Sequence, residues 1–217
     1  GLNVPLMMST GDELEVMRAR AIAAEFKRPL MVLGSGTEYQ RLDAIARDKS
    51  MPLIVPINYP KKPSVATIGE ATNIDLRTLM AWEQAPTNPR RLDAAGMTVA
   101  LTTATLRDKG AFRENLRTAI RHGLPEARAL AMVTTVPAKI LGVDRELGTV
   151  EQGKRANLIV ADGPLFAKKT KLRDVFVDGV RHEINAAPTK LEGTWALTMN
   201  PRESPRSFQL GRRRVDL

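Results

Sequence analysis

The stretch Leu30-Met31-Val32-Leu33-Gly34-Ser35-Gly36 decides the fold: a run of strand length, apolar at every position, closed by a glycine-rich turn. A strand that is apolar on both faces belongs in a parallel sheet, because helices cover both sides of such a sheet or the outside of its barrel. The residues that follow agree. Tyr39, Leu42 and Ile45 recur at helical spacing, and a second run, Pro52-Leu53-Ile54-Val55-Pro56-Ile57, comes after them.

The same unit recurs on both sides. Upstream, Val4-Pro5-Leu6-Met7-Met8 precedes Thr10-x-x-Glu13, which reads as a capping box, and Leu14, Met17, Ala21 and Ala24 then share a helical face. Downstream, Met97-Thr98-Val99-Ala100-Leu101 precedes a helix with Phe112, Leu116, Ala119 and Ile120 on one side. Residues 58–96, between the third and fourth runs, exceed the usual connection of ~2–6 residues. Helices are expected within them at 74–83 and 88–95. Their opening, Asn58-Tyr59-Pro60-Lys61-Lys62-Pro63, is a loop at the carboxyl end of a strand, which in barrel folds is the active face.

From Leu124 the pattern changes. Pro125 suits the first turn of a helix holding Ala127, Leu130, Ala131 and Val133, and Thr134-Thr135 with Pro137 starts a short helix that Gly142 ends. Short strands follow. Ala156-Asn157-Leu158-Ile159-Val160 ends at Asp162-Gly163, and Val175-Phe176-Val177 turns at Asp178-Gly179 into Val180-Arg181-His182, a hairpin pattern. Two further strands are expected at 193–199 and 207–210. The division expected is an α/β unit over 1–145 and a small β segment with a tail over 146–217.

The 217 residues are 43% hydrophobic and 26% charged, enough apolar material for a packed core. With no cysteine, thiolate nucleophiles, cysteine-ligated zinc and iron–sulfur centres are excluded. No apolar run approaches the roughly 18 residues that span a bilayer, so no membrane partner is expected, and the compartment stays open. Residue 1 is Gly and no leader pattern follows it, so a removed leader or a longer polypeptide is expected. The net charge of +9 raises nucleic acid as a partner, but the basic residues are scattered and only 4% of residues are aromatic, leaving little to stack bases on.

Residues 129–143, Ala-Leu-Ala-Met-Val-Thr-Thr-Val-Pro-Ala-Lys-Ile-Leu-Gly-Val, and residues 147–160, Leu-Gly-Thr-Val-Glu-Gln-Gly-Lys-Arg-Ala-Asn-Leu-Ile-Val, carry a resemblance. Together with the 174–180 hairpin they resemble the C-terminal signature of the amidohydrolase superfamily. Residues 94–106 are similar to the eighth barrel strand of its imidazolonepropionase-like and dihydroorotase-like branches, and the three earlier units to strands five, six and seven. The resemblance covers roughly residues 4–183. It implies the C-terminal half of a TIM-like (β/α)8 barrel, followed by part of a composite β-sandwich. It also implies zinc or another divalent metal at the strand ends, lowering the pKa of a bound water toward ~7 for carbon–nitrogen bond cleavage.

In such enzymes a His-x-His pair on strand one, a Lys or Glu on strand four, histidines on strands five and six and an Asp on strand eight supply the chemistry. Here no His-x-His occurs. Met8-Ser9-Thr10 and Gly34-Ser35-Gly36 stand where the strand-five and strand-six histidines belong, and Thr103 or Ala104 where the Asp belongs. The two histidines fall elsewhere, His122 at a helix end before Gly123 and His182 beyond the hairpin. Asp162 and Asp178 read as turn formers.

No metal or other cofactor is therefore expected in this chain, and no catalytic residue is assigned. The candidate pocket residues are Ser9, Ser35, Asn58, Thr102 and Thr103, at strand ends by register, where they could equally cap helices or close turns. Gly34-Ser35-Gly36 could cradle an anion, and Lys61-Lys62 could meet an acidic ligand. Three readings follow: the C-terminal part of an amidohydrolase-like protein, incomplete for catalysis alone; a non-catalytic binding or scaffolding barrel beside an active homologous domain; and a basic surface-binding protein. Four units cannot close an eight-stranded barrel, so the partner expected is an N-terminal half of the same polypeptide or a second copy, with a small-molecule ligand possible.

Overall fold

The computed structural model describes residues 5–185, 193–197 and 206–210. The apolar runs form strands β1 (Leu6–Ser9), β2 (Leu30–Leu33), β3 (Leu53–Pro56) and β4 (Val99–Thr102). They pair in parallel in the order β1-β2-β3-β4, with Leu6 opposite Leu30, Val32 opposite Leu53 and Leu53 opposite Val99. The protein is thus α/β, with a parallel sheet and a separate antiparallel layer.

That register sets the core. Leu30, Val32, Leu53, Val55 and Val99 face one side and are buried against the helices. The alternate positions Met31, Leu33 and Ile54 are only half-buried and Met7 is exposed, so the helices of this chain cover one face of strands whose sequence is apolar on both.

Helix α1 (Glu13–Glu25) corrects two expectations. Its cap is Asp12, whose carboxylate accepts from the N–H groups of Leu14 and Glu15, while Thr10 donates its hydroxyl to the Leu33 carbonyl across the sheet. Thr10 is held by that long-range bond and is not free to cap. The buried stripe is Val16, Ala19 and Ala23, and Leu14, Ala21 and Ala24 lie outside it. In an alanine-rich helix several faces are apolar enough to dock, and the small side chains let this one approach the sheet most closely.

After β2 a 3-10 turn (Glu38–Arg41) leads into α2 (Leu42–Ile45). The long connection contains α3 (Ile68–Asn73), α4 (Leu76–Gln84) and α5 (Asn88–Ala94). The 74–83 expectation starts two residues early, because Asp75 is the cap of α4. Helix α3 was not anticipated, although Thr67 and Glu70 form a reciprocal capping box that the sequence spells. Beyond β4 come α6 (Phe112–Arg121), α7 (Glu126–Ala131) and α8 (Thr135–Ile140), with the C-terminal turn of α8 closed by Gly142 at φ +68°.

Strands β5 (Leu158–Ala161), β6 (Leu172–Val177) and β7 (Val180–Glu183) form the antiparallel layer, with Asp178 and Gly179 at positive φ in the tight turn between the last two. Arginines of α6 hold this layer. Arg113 donates to the Leu165 and Thr170 carbonyls, and Arg117 to those of Phe166 and Ala167. A third sheet pairs β8 (Gly193–Leu197) with β9 (Arg206–Leu210), and the expected extension to Thr198 and Met199 lies outside the described residues. Among the described residues no helix is long and apolar enough to cross a membrane.

Candidate functional site

The carboxyl ends of the four strands carry hydroxyl and amide groups. Ser9 ends β1 and is exposed, Ser35 lies in the turn after β2, Asn58 lies just beyond β3, and Thr102 and Thr103 close β4. Their hydrogen bonds are mostly local. Thr102 accepts from the Ala104 N–H, the Thr103 carbonyl accepts from Lys109 Nζ at 2.6 Å, and Asn58 donates to the Thr105 carbonyl at 3.5 Å. Thr105 sits at φ +66°, a costly conformation for a β-branched residue, so this loop stores strain beside the strand ends.

At the end of β2 the backbone presents N–H groups as an anion site would, but the chain fills the place itself. Glu38, fully buried, accepts at Oε1 from the N–H groups of Ser35 (2.7 Å) and Gly36 (3.0 Å), and at Oε2 from the Asn88 side-chain amide (2.6 Å). The cradle expected for an external anion is therefore occupied by the protein's own carboxylate. A second string extends it: Ser35 Oγ lies 2.7 Å from Thr37 Oγ1, which donates to Glu13 at 2.9 Å. Sequence reading missed Glu38. The Ser35-x-x-Glu38 spacing was a usable signal, whereas Asn88, fifty positions away, had none.

Gly34 is part of the same device. A Cβ added there would collide with Glu38 Oε1, a side-chain end pinned by its hydrogen bonds. Gly34→Ala is expected to cost about 2 kcal/mol of stability by overpacking, read as a lowered urea midpoint with an unchanged m-value. A midpoint equal to wild type would mean that Glu38 is not pinned.

Two buried polar atoms near this region have no hydrogen-bond partner, Asn88 Oδ1 and the Tyr59 hydroxyl. Burial raises the pKa of the Tyr59 phenol, which therefore stays protonated. The histidines are placed apart from the strand ends. His122 caps α6 with Nδ1 2.8 Å from the Thr118 carbonyl, and His182 lies in β7 opposite Val175. A cavity of about 420 Å³ lies at the opposite, amino-terminal ends of the strands, between Pro29, Pro52 and Ile140, and none of the five candidate residues lines it.

The donors at the strand ends do not fit a divalent metal. The nearby carboxylates, Glu13 and Glu38, are committed to hydrogen bonds within the chain, and no group of three His, Cys, Asp or Glu able to hold an ion exists among the described residues. Neutral hydroxyls and an amide bind such ions weakly without carboxylate or imidazole company.

A family model described as the amidohydrolase family matches residues 29–186. No curated protein matches the chain. Among solved structures, an amidohydrolase from Thermotoga maritima is 26% identical with a TM-score of 0.63, over 82% of this chain and 43% of that one. Another amidohydrolase is 17% identical with a TM-score of 0.57, over 83% and 45%. A prolidase solved with N-methylphosphonate-L-proline is 15% identical with a TM-score of 0.56, over 82% and 45%. The chain spans less than half the length of each of these structures.

Proposed function

The chain belongs to the amidohydrolase family, and on that premise we propose that, as it stands, it does not perform metal-dependent carbon–nitrogen bond hydrolysis and serves as a binding or scaffolding unit of that fold. The observation that carries this reading is Glu38. Where the family resemblance implies an imidazole free to bind metal after strand six, this chain has a glycine-rich turn closed by its own carboxylate, with both oxygens engaged. After β4, Thr103 and Ala104 offer no group able to take a proton from water at neutral pH.

What the strand ends do offer is a polar surface of hydroxyl and amide groups, with the Lys109 ammonium beside Thr103. Ser9, Asn58 and Thr103 can exchange hydrogen bonds with a small hydroxylated or amide ligand, and the resemblance of the surrounding frame to enzymes acting on amides supports that chemical class.

The test is elemental analysis of tag-free protein grown with added zinc and manganese, together with hydrolysis assays on linear and cyclic amides. Substoichiometric metal and no turnover above buffer are expected. A stoichiometric ion retained through gel filtration, or metal-dependent turnover, would overturn the proposal.

A further inference from the structure

The turns at the carboxyl ends of the strands differ in charge. Those leaving β1 and β2 carry Asp12, Glu13, Glu15 and Glu38, whereas those leaving β3 and β4 carry Lys61, Lys62, Arg107 and Lys109, with Asp108 among them. The carboxylates are engaged by donors of the chain itself. Asp12 accepts from the Leu14 and Glu15 N–H groups, Glu15 from Gly11 N–H and Asp108 from Gly110 N–H, and Glu13 and Glu38 have the partners already described. The cations are placed differently. Lys61, Lys62 and Arg107 are exposed and have no ion pair or side-chain hydrogen bond among the described residues.

Lys109 is held in position at the end of β4. Its Nζ donates to the Thr103 carbonyl at 2.6 Å, and the same carbonyl accepts from the Leu106 N–H at 3.2 Å. Leu106 is buried, which pins the loop to the core. Asn58, just beyond β3, reaches the Thr105 carbonyl and so ties the two loops together. Strands β3 and β4 pair with each other, and this juxtaposition is therefore set within the chain. Thr105 at φ +66° lies in the same loop, a conformation that persists only where its surroundings over-determine it.

An ammonium carries three N–H donors, and the Thr103 carbonyl takes one. The other two, and the Thr103 hydroxyl, have no partner among the described residues. We propose that Lys109 Nζ and the Thr103 hydroxyl bind an oxyanion, so that the ligand of the strand-end site carries a carboxylate or phosphate group held over β4. The proposal rests on the reading of that site as one for a small hydroxylated or amide ligand.

A hydrogen bond from an ammonium to an oxyanion is charge-assisted and about twice as strong as a neutral one. Lys61 stands three positions from Asn58 and Arg107 two from Thr105, at most ~11 Å and ~7 Å of extended chain. Cations so placed at the rim raise the local concentration of anions. A cationic ligand would meet them as like charges, and a neutral one would leave the free ammonium donors to water.

The test is nuclear magnetic resonance titration of the full chain with two matched pairs of probes: N-acetylglycine against N-acetylglycinamide, and glycerol 3-phosphate against glycerol. In at least one pair the anion is expected to bind about tenfold more tightly than its neutral counterpart, with shifts at residues 103–109 and a preference that weakens as salt is raised; the pair that discriminates tells carboxylate from phosphate. Lys109→Gln keeps a donor for the Thr103 carbonyl and removes the charge, so it should abolish the preference and leave binding of the neutral probe unchanged, with circular dichroism verifying the fold. Equal binding of anionic and neutral probes, or a preference that survives in Lys109→Gln, overturns this proposal and leaves the small-ligand reading standing. Binding of none of the four at millimolar concentration overturns both.

Discussion

Glu38→Ala is expected to lower the unfolding free energy by about 3 kcal/mol, because it strands buried donors that now share one carboxylate. The Ser35 and Gly36 N–H groups and the Asn88 amide would all lose their acceptor where water enters poorly. Glu38→Gln separates hydrogen bonding from charge. Its oxygen can still accept from Ser35 and Gly36, and its amide can donate to the Asn88 oxygen, now without a partner, once the Asn88 side chain flips. The Gln variant should therefore lose less than half as much as the Ala variant in urea titrations. Equal losses would show that the negative charge itself is what the turn requires.

Arg113→Ala combined with Arg117→Ala is expected to release the antiparallel layer from α6. The two guanidinium groups donate to four carbonyls between residues 165 and 170, at 2.5 to 3.2 Å, and Arg117 is mostly buried in doing so. Charge-assisted bonds of this kind contribute about 1.5–3 kcal/mol each when broken from one side, and neighbouring ones are not additive, so about 3–5 kcal/mol is expected for the pair. Burial, with the nearby charge of Arg117, lowers the pKa of Arg113, but an arginine keeps its proton in this setting.

The sharper readout is limited trypsin digestion. Lys168, Lys169 and Lys171 lie in or beside the clamped loop, and cleavage there should accelerate well before global unfolding. Arg117→Lys should not rescue, since an ammonium cannot span two carbonyls as a planar fork does. Unchanged cleavage in the double alanine variant would mean that the layer is held by its apolar contacts alone.

Most of the fold was legible because its signals are local. Apolar runs of strand length, the glycine turn after β2, the Asp178-Gly179 turn and the Gly142 stop each act within a few residues, and each appears where expected. The family signature over 129–160 was likewise readable as a string. The absence of histidine from the strand ends was visible too.

What only the tertiary structure decided involves partners distant in sequence. The buried stripe of α1 was ambiguous, since alanines on several faces offer similar apolar area, and closeness of approach to β2 chose Val16, Ala19 and Ala23. Thr10 gave up a capping role for a carbonyl 23 residues away, and Asn88 met Glu38 across fifty. The cover on the outer edge of β4 follows from the return of residue 132 to Leu101, thirty-one positions away. Periodicity and turn chemistry record what each segment wants of its surroundings; which segment answers is settled by three-dimensional packing, because a hydrogen bond or an apolar contact depends on distance in space and not on separation along the chain.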